Sequence, residues 1–370
     1  MKFNFDVVII GAGAAGLMCG LEAGKRGRSV VILEHFHKVG EKIRISGGGR
    51  CNFTNINTSP EKFLSNNLHF CKSALSKYTP MDFIKLVKTH NIKFHEKKLG
   101  QLFCDNSSMD IINMLLKQCY ESNVKILKNI TVKEVEKGFK ISTNLGAFSS
   151  NSLVIATGGL SIPKIGATKF GYEVARKFNL NITKTRAGLV PLTFTDRYLQ
   201  IFKDLKGISV NANVFIKDIG FKDGLLFTHR GLSGPSILQI SSFLNKGESI
   251  SIDFLSNINI EKFLLKKKFQ NNKQEIKNIL SSVLPKRIVR FICDLNNISG
   301  RLIDFSNDQI SFISSCINSF IVKPSGNEGY RTAEVTVGGV DTDELSSKTF
   351  ETKSIQAYFL LEKLWILQDN

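Results

Sequence analysis

Asp6 to Gly16 reads DVVIIGAGAAG, and the order of residue types in that stretch decides the fold. Val7 to Ile10 is a short unbroken apolar run, suited to a strand buried on both faces of a parallel sheet. It passes straight into Gly11, Gly13 and Gly16, and Leu17 to Arg26 then carries helical spacing. A second apolar run, Ser29 to Leu33, ends in Glu34. Strand, glycine turn, helix, strand and terminal acid describe a dinucleotide-binding βαβ unit. Gly11 permits the tight turn, Gly13 lets backbone approach a pyrophosphate, and Gly16 lets helix pack on strand. Ala14 and Ala15 open a helix whose N–H groups and dipole face the phosphates. Glu34 is placed to accept hydrogen bonds from ribose hydroxyls, each worth about 1.5–3 kcal/mol because the acceptor is charged.

This unit alone does not choose between NAD and FAD. Ile45 to Asn55, ISGGGRCNFTN, follows Glu34 too closely for another long crossover helix. FAD is longer than its adenylate half, and a second glycine loop near the first lets the chain wrap that added length. Gly47, Gly48 and Gly49 supply bare backbone, with Arg50, Asn52 and Thr54 as neighbouring donors. A flexible surface loop is the alternative. Farther on, Asn151 to Gly159 (NSLVIATGG) ends another apolar run in Thr157, Gly158 and Gly159. Val124 to Ser150 has the alternation and turn signals of a small β-meander, with turns at Gly138 and Asn144 to Gly146.

Six strings together resemble one family. They are GAGAAGLM (from Gly11), GEKIRISGGGRCNFTN (Gly40 to Asn55), ATGGLSIPKIGATKFGYEVA (Ala156 to Ala175), LVPL (Leu189 to Leu192), LFTHRGLSGPSILQIS (Leu226 to Ser241) and AEVTVGGV (Ala333 to Val340). The family is that of the aminoacetone-oxidase-like, NAD(P)/FAD-dependent oxidoreductase flavoproteins. The resemblance runs in order from Phe5 to about Phe359. It implies an α/β fold: a FAD-type Rossmann domain with a β-meander, interrupted by a β-rich plus helical insert domain. The first part of the FAD domain would span 1–188, the insert 189–332 and the return 333–370. Within the insert, 189–258 reads as β-rich and 259–320 as helical. The residues it implies for FAD are Gly11, Gly13, Ala14, Ala15, Gly16, Glu34, Lys42, Ser46, Gly47, Gly48, Arg50, Cys51, Asn52, Val132, Thr157 and Gly158. The implied activity is hydride transfer between a small organic substrate and FAD, with oxygen or transient NAD(P)H as the partner, since no second glycine fingerprint binds a nicotinamide.

One stretch departs from the family. Where relatives close with a YF-x-GE-x-LD-x-x-G pattern and a GGYN-type segment, this chain reads Tyr358-Phe359 and then LLEKLWILQDN. A shifted reading frame can restore much of that pattern, so the tail is expected to be an altered, truncated form of the flavin-closing segment. A decayed flavoprotein without turnover is therefore an alternative to an active enzyme.

The chain of 370 residues exceeds the size at which one core stops growing, which fits two or three domains. No apolar run reaches the ~18 residues of a membrane span. Asp6 interrupts what would otherwise pass for a secretory leader, so the start is read as mature sequence. Seven cysteines without a CxxC pair argue against zinc and a disulfide framework and fit a reducing cytoplasm. The net charge of +18 invites a nucleic-acid partner and a flavin-dependent RNA-modifying alternative. Lysines are spread along the chain, however, and the denser run from Lys262 to Arg290 alternates with apolar residues at helical spacing, as a solvated helix face does. A small-molecule substrate is expected, with nucleic acid not the expected partner. No residue stands out as catalytic: His229 reads as a structural histidine, Arg331 as a surface or carboxylate-binding cation, and Cys51, whose thiol Arg50 could activate, as a small steric residue of the glycine loop.

Overall fold

The computed structural model describes residues 1–270, 273–361 and 366–367. The chain divides into two units, 1–186 with 335–370, and 187–334, where the sequence places the crossings at 189 and 333.

The first unit is built on β1 (Lys2–Ile10), α1 (Ala14–Lys25) and β2 (Val30–Leu33). After a longer excursion come α2 (Met109–Glu121), β3 (Lys125–Leu127), β4 (Val132–Glu136), β5 (Lys140–Thr143) and β6 (Ala147–Ile155). The seven-stranded sheet runs β3-β2-β1-β6-β5-β4, with the return strand Tyr358–Leu360 also on β6. β1, β2, β3 and β6 are parallel, with Val7 beside Val30, Val31 beside Lys125 and Val8 beside Leu153. The unbroken apolar runs follow from burial on both faces: Val8, Ile9, Val31, Ile32, Leu153 and Ile155 are all fully buried.

The meander is shorter than the sequence suggested. Lys125–Leu127 is the return of the α2 crossover and joins the parallel sheet, leaving β4, β5 and β6 as the antiparallel set. β6 is shared along its length: Ala147, Phe148 and Ser149 pair antiparallel with β5, while Leu153, Val154 and Ile155 pair parallel with the return strand. Tyr358 on that strand is fully buried, with Phe178 edge-on at 5.0 Å between ring centroids.

In the second unit an antiparallel seven-stranded sheet is built around the hairpin Ser209–Ile216 and Ile219–Phe227. Lys217, at φ +52°, makes its two-residue turn. Strands dominate up to Ile250–Asp253, and helices Ile260–Phe269, Lys286–Leu295 and Asn307–Asn318 follow, the order the alternation and helical spacing indicate. One apolar core, including Phe227, Phe254, Leu264, Ile288 and Ile313, joins sheet and helices of this unit. Its two ends meet: the Glu334 N–H donates to the Leu189 carbonyl at 3.1 Å.

All seven cysteines are free, six of them buried and Cys19 half-buried. Burial pushes the thiols of Cys19, Cys119 and Cys293 up to about 11 and that of Cys104 up to about 12. Among the described residues no helix is long and apolar enough to cross a membrane. Of the tail expected to be altered, 362–365 and 368–370 lie outside the described residues, and Ile366–Leu367 pairs antiparallel with Phe63–Leu64.

Candidate cofactor site

A cavity of about 740 Å³ lies at the carboxyl ends of β1, β2 and β6, where Ile10, Leu33 and Ala156 line it. That is where doubly wound sheets bind ligands, and the volume falls within the roughly 300–1,000 Å³ of small-molecule and cofactor sites.

The three fingerprint glycines have three different reasons to be glycine. At Gly11, φ is +107°, and a Cβ would drive into the Ala156 carbonyl. At Gly16 a Cβ would strike the Gly11 carbonyl, so helix and turn could not close. Gly13 has an ordinary φ of −80°, and a Cβ there would meet no protein atom within 4 Å. Its bareness serves nothing in the protein; it keeps space in the cavity clear for a ligand. Gly13 is also the N-cap of α1 and provides no capping side chain, and the first turn holds no acid. The helix therefore presents uncapped N–H groups and the positive end of its dipole at Ala14 and Ala15, both on the cavity wall, a site fit for a diphosphate.

Glu34 is buried and holds the turn in place. Its Oε2 accepts from the Ala12 N–H at 2.7 Å and its Oε1 from the Phe36 N–H at 2.8 Å. Burial pushes its carboxyl up, but hydrogen bonds from His35, Phe36 and Ala12 outweigh it and leave the pKa below the ordinary value. His35 Nδ1 stands 3.2 Å from Oε1, and that hydrogen bond, against partial burial, raises the imidazole pKa. Carboxylate oxygens accept more than one bond, so Glu34 retains capacity for ribose hydroxyls.

The second glycine loop is a left-handed turn: Gly47, Gly48 and Gly49 have φ of +59°, +66° and +87°, and Cys51 follows at +52°. A Cβ on Gly47 would stand 2.7 Å from the Phe103 ring. Ser46, Cys51 and Asn52 line the cavity, whereas Gly47, Gly48 and Arg50 lie outside its lining. The run of glycines thus answers to backbone conformation, and it is the flanking residues that reach the cavity. Arg50 does not activate Cys51; burial raises that thiol, against an opposing hydrogen bond from Ser46.

The structure therefore gathers Gly11, Gly13, Ala14, Ala15, Glu34, Lys42, Ser46, Cys51, Asn52, Val132, Thr157 and Gly158 around one cavity. Gly16 lies outside the lining, packed against Gly11. His229 and Arg331 belong to the second unit and are exposed. Residues the sequence did not single out also line the cavity, among them His35, Met18, Phe53 and the segment 165–169. One signal was present: Gly166, inside the string from Ala156, has φ +96° and would place a Cβ 3.2 Å from His35 Nε2.

A βαβ turn with a vacant glycine face, an uncapped helix start and a buried acid at the end of β2 defines a Rossmann-type dinucleotide-binding domain, and the family match over nearly the whole chain makes the class a FAD-binding oxidoreductase. More narrowly, the chain belongs to the family described as HI0933-like protein Rossmann domain, whose model matches residues 5–364. It is 46% identical over 365 residues to a ribosomal RNA dihydrouridine synthase of Escherichia coli (strain K12), covering 97% of this chain and 91% of that protein. A protein of the same name from Haemophilus influenzae is 42% identical, covering 96% and 91%. A 3-dehydro-bile acid delta(4,6)-reductase of Clostridium scindens is 23% identical, again over 96% and 91%. The flavoprotein class expected from the six strings stands, but these names differ from aminoacetone oxidation. The first two also do not fit the expectation that nucleic acid is no partner.

Proposed function

We infer that this chain is a FAD-dependent reductase that converts uridine to dihydrouridine in ribosomal RNA, with NAD(P)H as the reductant. The observation that carries this is likeness over nearly the whole chain, at 46% and 42% identity, to two proteins named for that activity. The uracil C5=C6 bond is conjugated to the C4 carbonyl, so it is reduced by a hydride at C6 and a proton at C5. The overall balance is uridine + NAD(P)H + H⁺ giving dihydrouridine + NAD(P)⁺. The bile-acid relative's name also denotes reduction of carbon–carbon double bonds in a 3-oxo substrate, which fits a family that reduces conjugated bonds. The net charge of +18 suits a polyanionic substrate.

When bound, FAD supplies the hydride chemistry. The chain's part is to hold and shield it. The uncapped start of α1 and the bare face of Gly13 would hold the diphosphate, and Glu34 would hold the adenosine ribose. Ser46, Cys51, Asn52, Thr157 and Gly158 would hold the remaining length, and Met18, Phe53, Phe83 and Leu361 line apolar walls that would keep water from it.

The test uses cells lacking this protein. Nucleoside mass spectrometry of their ribosomal RNA is expected to show loss of a dihydrouridine. Purified FAD-loaded protein with NADPH should restore it on that RNA. Unchanged dihydrouridine in the deletion strain, or no restoration by a yellow, NADPH-reducible protein, removes the assignment.

A further inference from the structure

Helix Ile260–Phe269 carries an arrangement that packing does not explain. Its buried residues are Ile260 and Leu264, both fully covered. Lys262, Lys266 and Phe269 stand at i, i+4 and i+7, a single stripe on the opposite, solvent-facing side. Phe269 is 94% exposed, and Phe312 at 52% is the only other described phenylalanine in the exposed class. Phe269 is the most exposed phenylalanine or tyrosine among the described residues, ahead of Tyr120 at 83%, and what sets it apart is the pair of exposed lysines in line with it.

The surroundings of that ring are cationic. Glu261, in the first turn, is the only acid on the helix. Lys262 and Lys266 make no ion pair among the described residues, and Lys267 Nζ lies 6.0 Å from the Phe263 ring centroid. Lys268 is occupied differently, donating to the Phe305 carbonyl. Two exposed ammonium groups aligned with one bare ring fit a polyanion that also offers flat faces for stacking. A single-stranded nucleic acid has that chemistry: phosphates for the lysines and an unstacked base for the ring. An apolar protein partner would be poorly served by the lysines, and a membrane surface would not select one isolated ring.

We propose that Lys262, Lys266 and Phe269 form an RNA-docking stripe on the second unit, with Phe269 stacking an unpaired base and the lysines holding its flanking phosphates. This rests on the RNA-directed reading of the chain and adds where the RNA is gripped. None of the three residues lines the cofactor cavity, so the stripe would grip substrate without touching the flavin.

The test is fluorescence anisotropy of a fluorescein-labelled single-stranded RNA oligonucleotide with the full-length, FAD-loaded protein across a salt series. Phe269→Ala is expected to weaken binding roughly 5- to 160-fold, the effect of losing one base–aromatic stack, while Phe269→Trp retains it. Lys262→Gln with Lys266→Gln is expected to make the slope of log affinity against log salt shallower by about 1.4, two phosphate contacts on a single strand. Flavin content and melting temperature should not move in any of these variants. Wild-type protein that binds RNA while Phe269→Ala and the double lysine variant bind equally well overturns the stripe and leaves the RNA-directed function intact. Wild-type protein with no salt-sensitive RNA affinity overturns both. Loss of self-association without change in RNA affinity also overturns the stripe, by assigning Phe269 to a protein contact.

Discussion

Gly13 and Gly16 are both glycines of one fingerprint, yet they should respond oppositely to a methyl group. Gly16→Ala drives Cβ into the Gly11 carbonyl, and overpacking of that kind costs about 1–3 kcal/mol. Gly13→Ala meets no protein atom and should leave the stability of the flavin-free protein within about 0.5 kcal/mol of wild type, while flavin content after purification falls sharply. Thermal melting beside the flavin absorbance of each variant checks both. A stable Gly13→Ala protein that stays fully yellow would show that the bare face is not where the diphosphate lies. Glu34 and His35 give a pH signature. Glu34's folded pKa is depressed, so its stabilisation is present above the ordinary carboxylate value of 4.5 and is lost as pH falls through the lower folded value. His35's is raised, so its contribution is full below 6.5 and is lost as pH rises through the higher folded value. Glu34→Gln is therefore expected to flatten both limbs of a plot of melting temperature against pH, and an unchanged alkaline limb would separate His35 from Glu34.

At the scale of elements, the second glycine loop is the sharper case. Gly48→Ala imposes only left-handed strain, about 1–2 kcal/mol, because open space surrounds its Cβ. Gly47→Ala adds contact with the Phe103 ring and is expected to cost about 1–3 kcal/mol more, read as the difference in urea midpoints multiplied by a common slope. Equal losses would mean that the Phe103 ring and the Asn52 backbone, 2.7 and 2.8 Å from that Cβ, both yield freely. This loop also marks the limit of what the chain reveals before its structure. The strands and α1 are legible because period and glycine placement are local, and both halves of the cavity wall could be named from strings. The difference between Gly47 and its two neighbours was not legible, because it depends in part on Phe103, far along the sequence and across a sheet. The same holds for Lys125–Leu127, whose short alternation suits a meander or a parallel edge equally until α2 decides which side it returns to. His35 and the 165–169 segment escaped because, Gly166 apart, their place on the cavity wall comes from tertiary proximity.

At the scale of the whole molecule, the second unit has its own core and enters and leaves at one point, where Glu334 and Leu189 share a backbone hydrogen bond. Excising 187–334 and joining Arg186 to Val335 through a short Gly/Ser link is therefore expected to leave a first unit that folds and remains yellow, but has lost affinity for RNA. Absorbance near the flavin bands and a cooperative melt check the first half, and anisotropy with labelled RNA checks the second. A colourless, molten product would show that the nucleotide domain depends on its guest.

The seven thiols have a practical sequel. Six are buried and Cys19 is half-buried, and the protonated form that burial favours is a poor nucleophile. Maleimide dyes should hence leave the native protein almost unlabelled. A single cysteine introduced at an exposed position would then carry a dye at that place alone, without first stripping the natural sulfur from the chain.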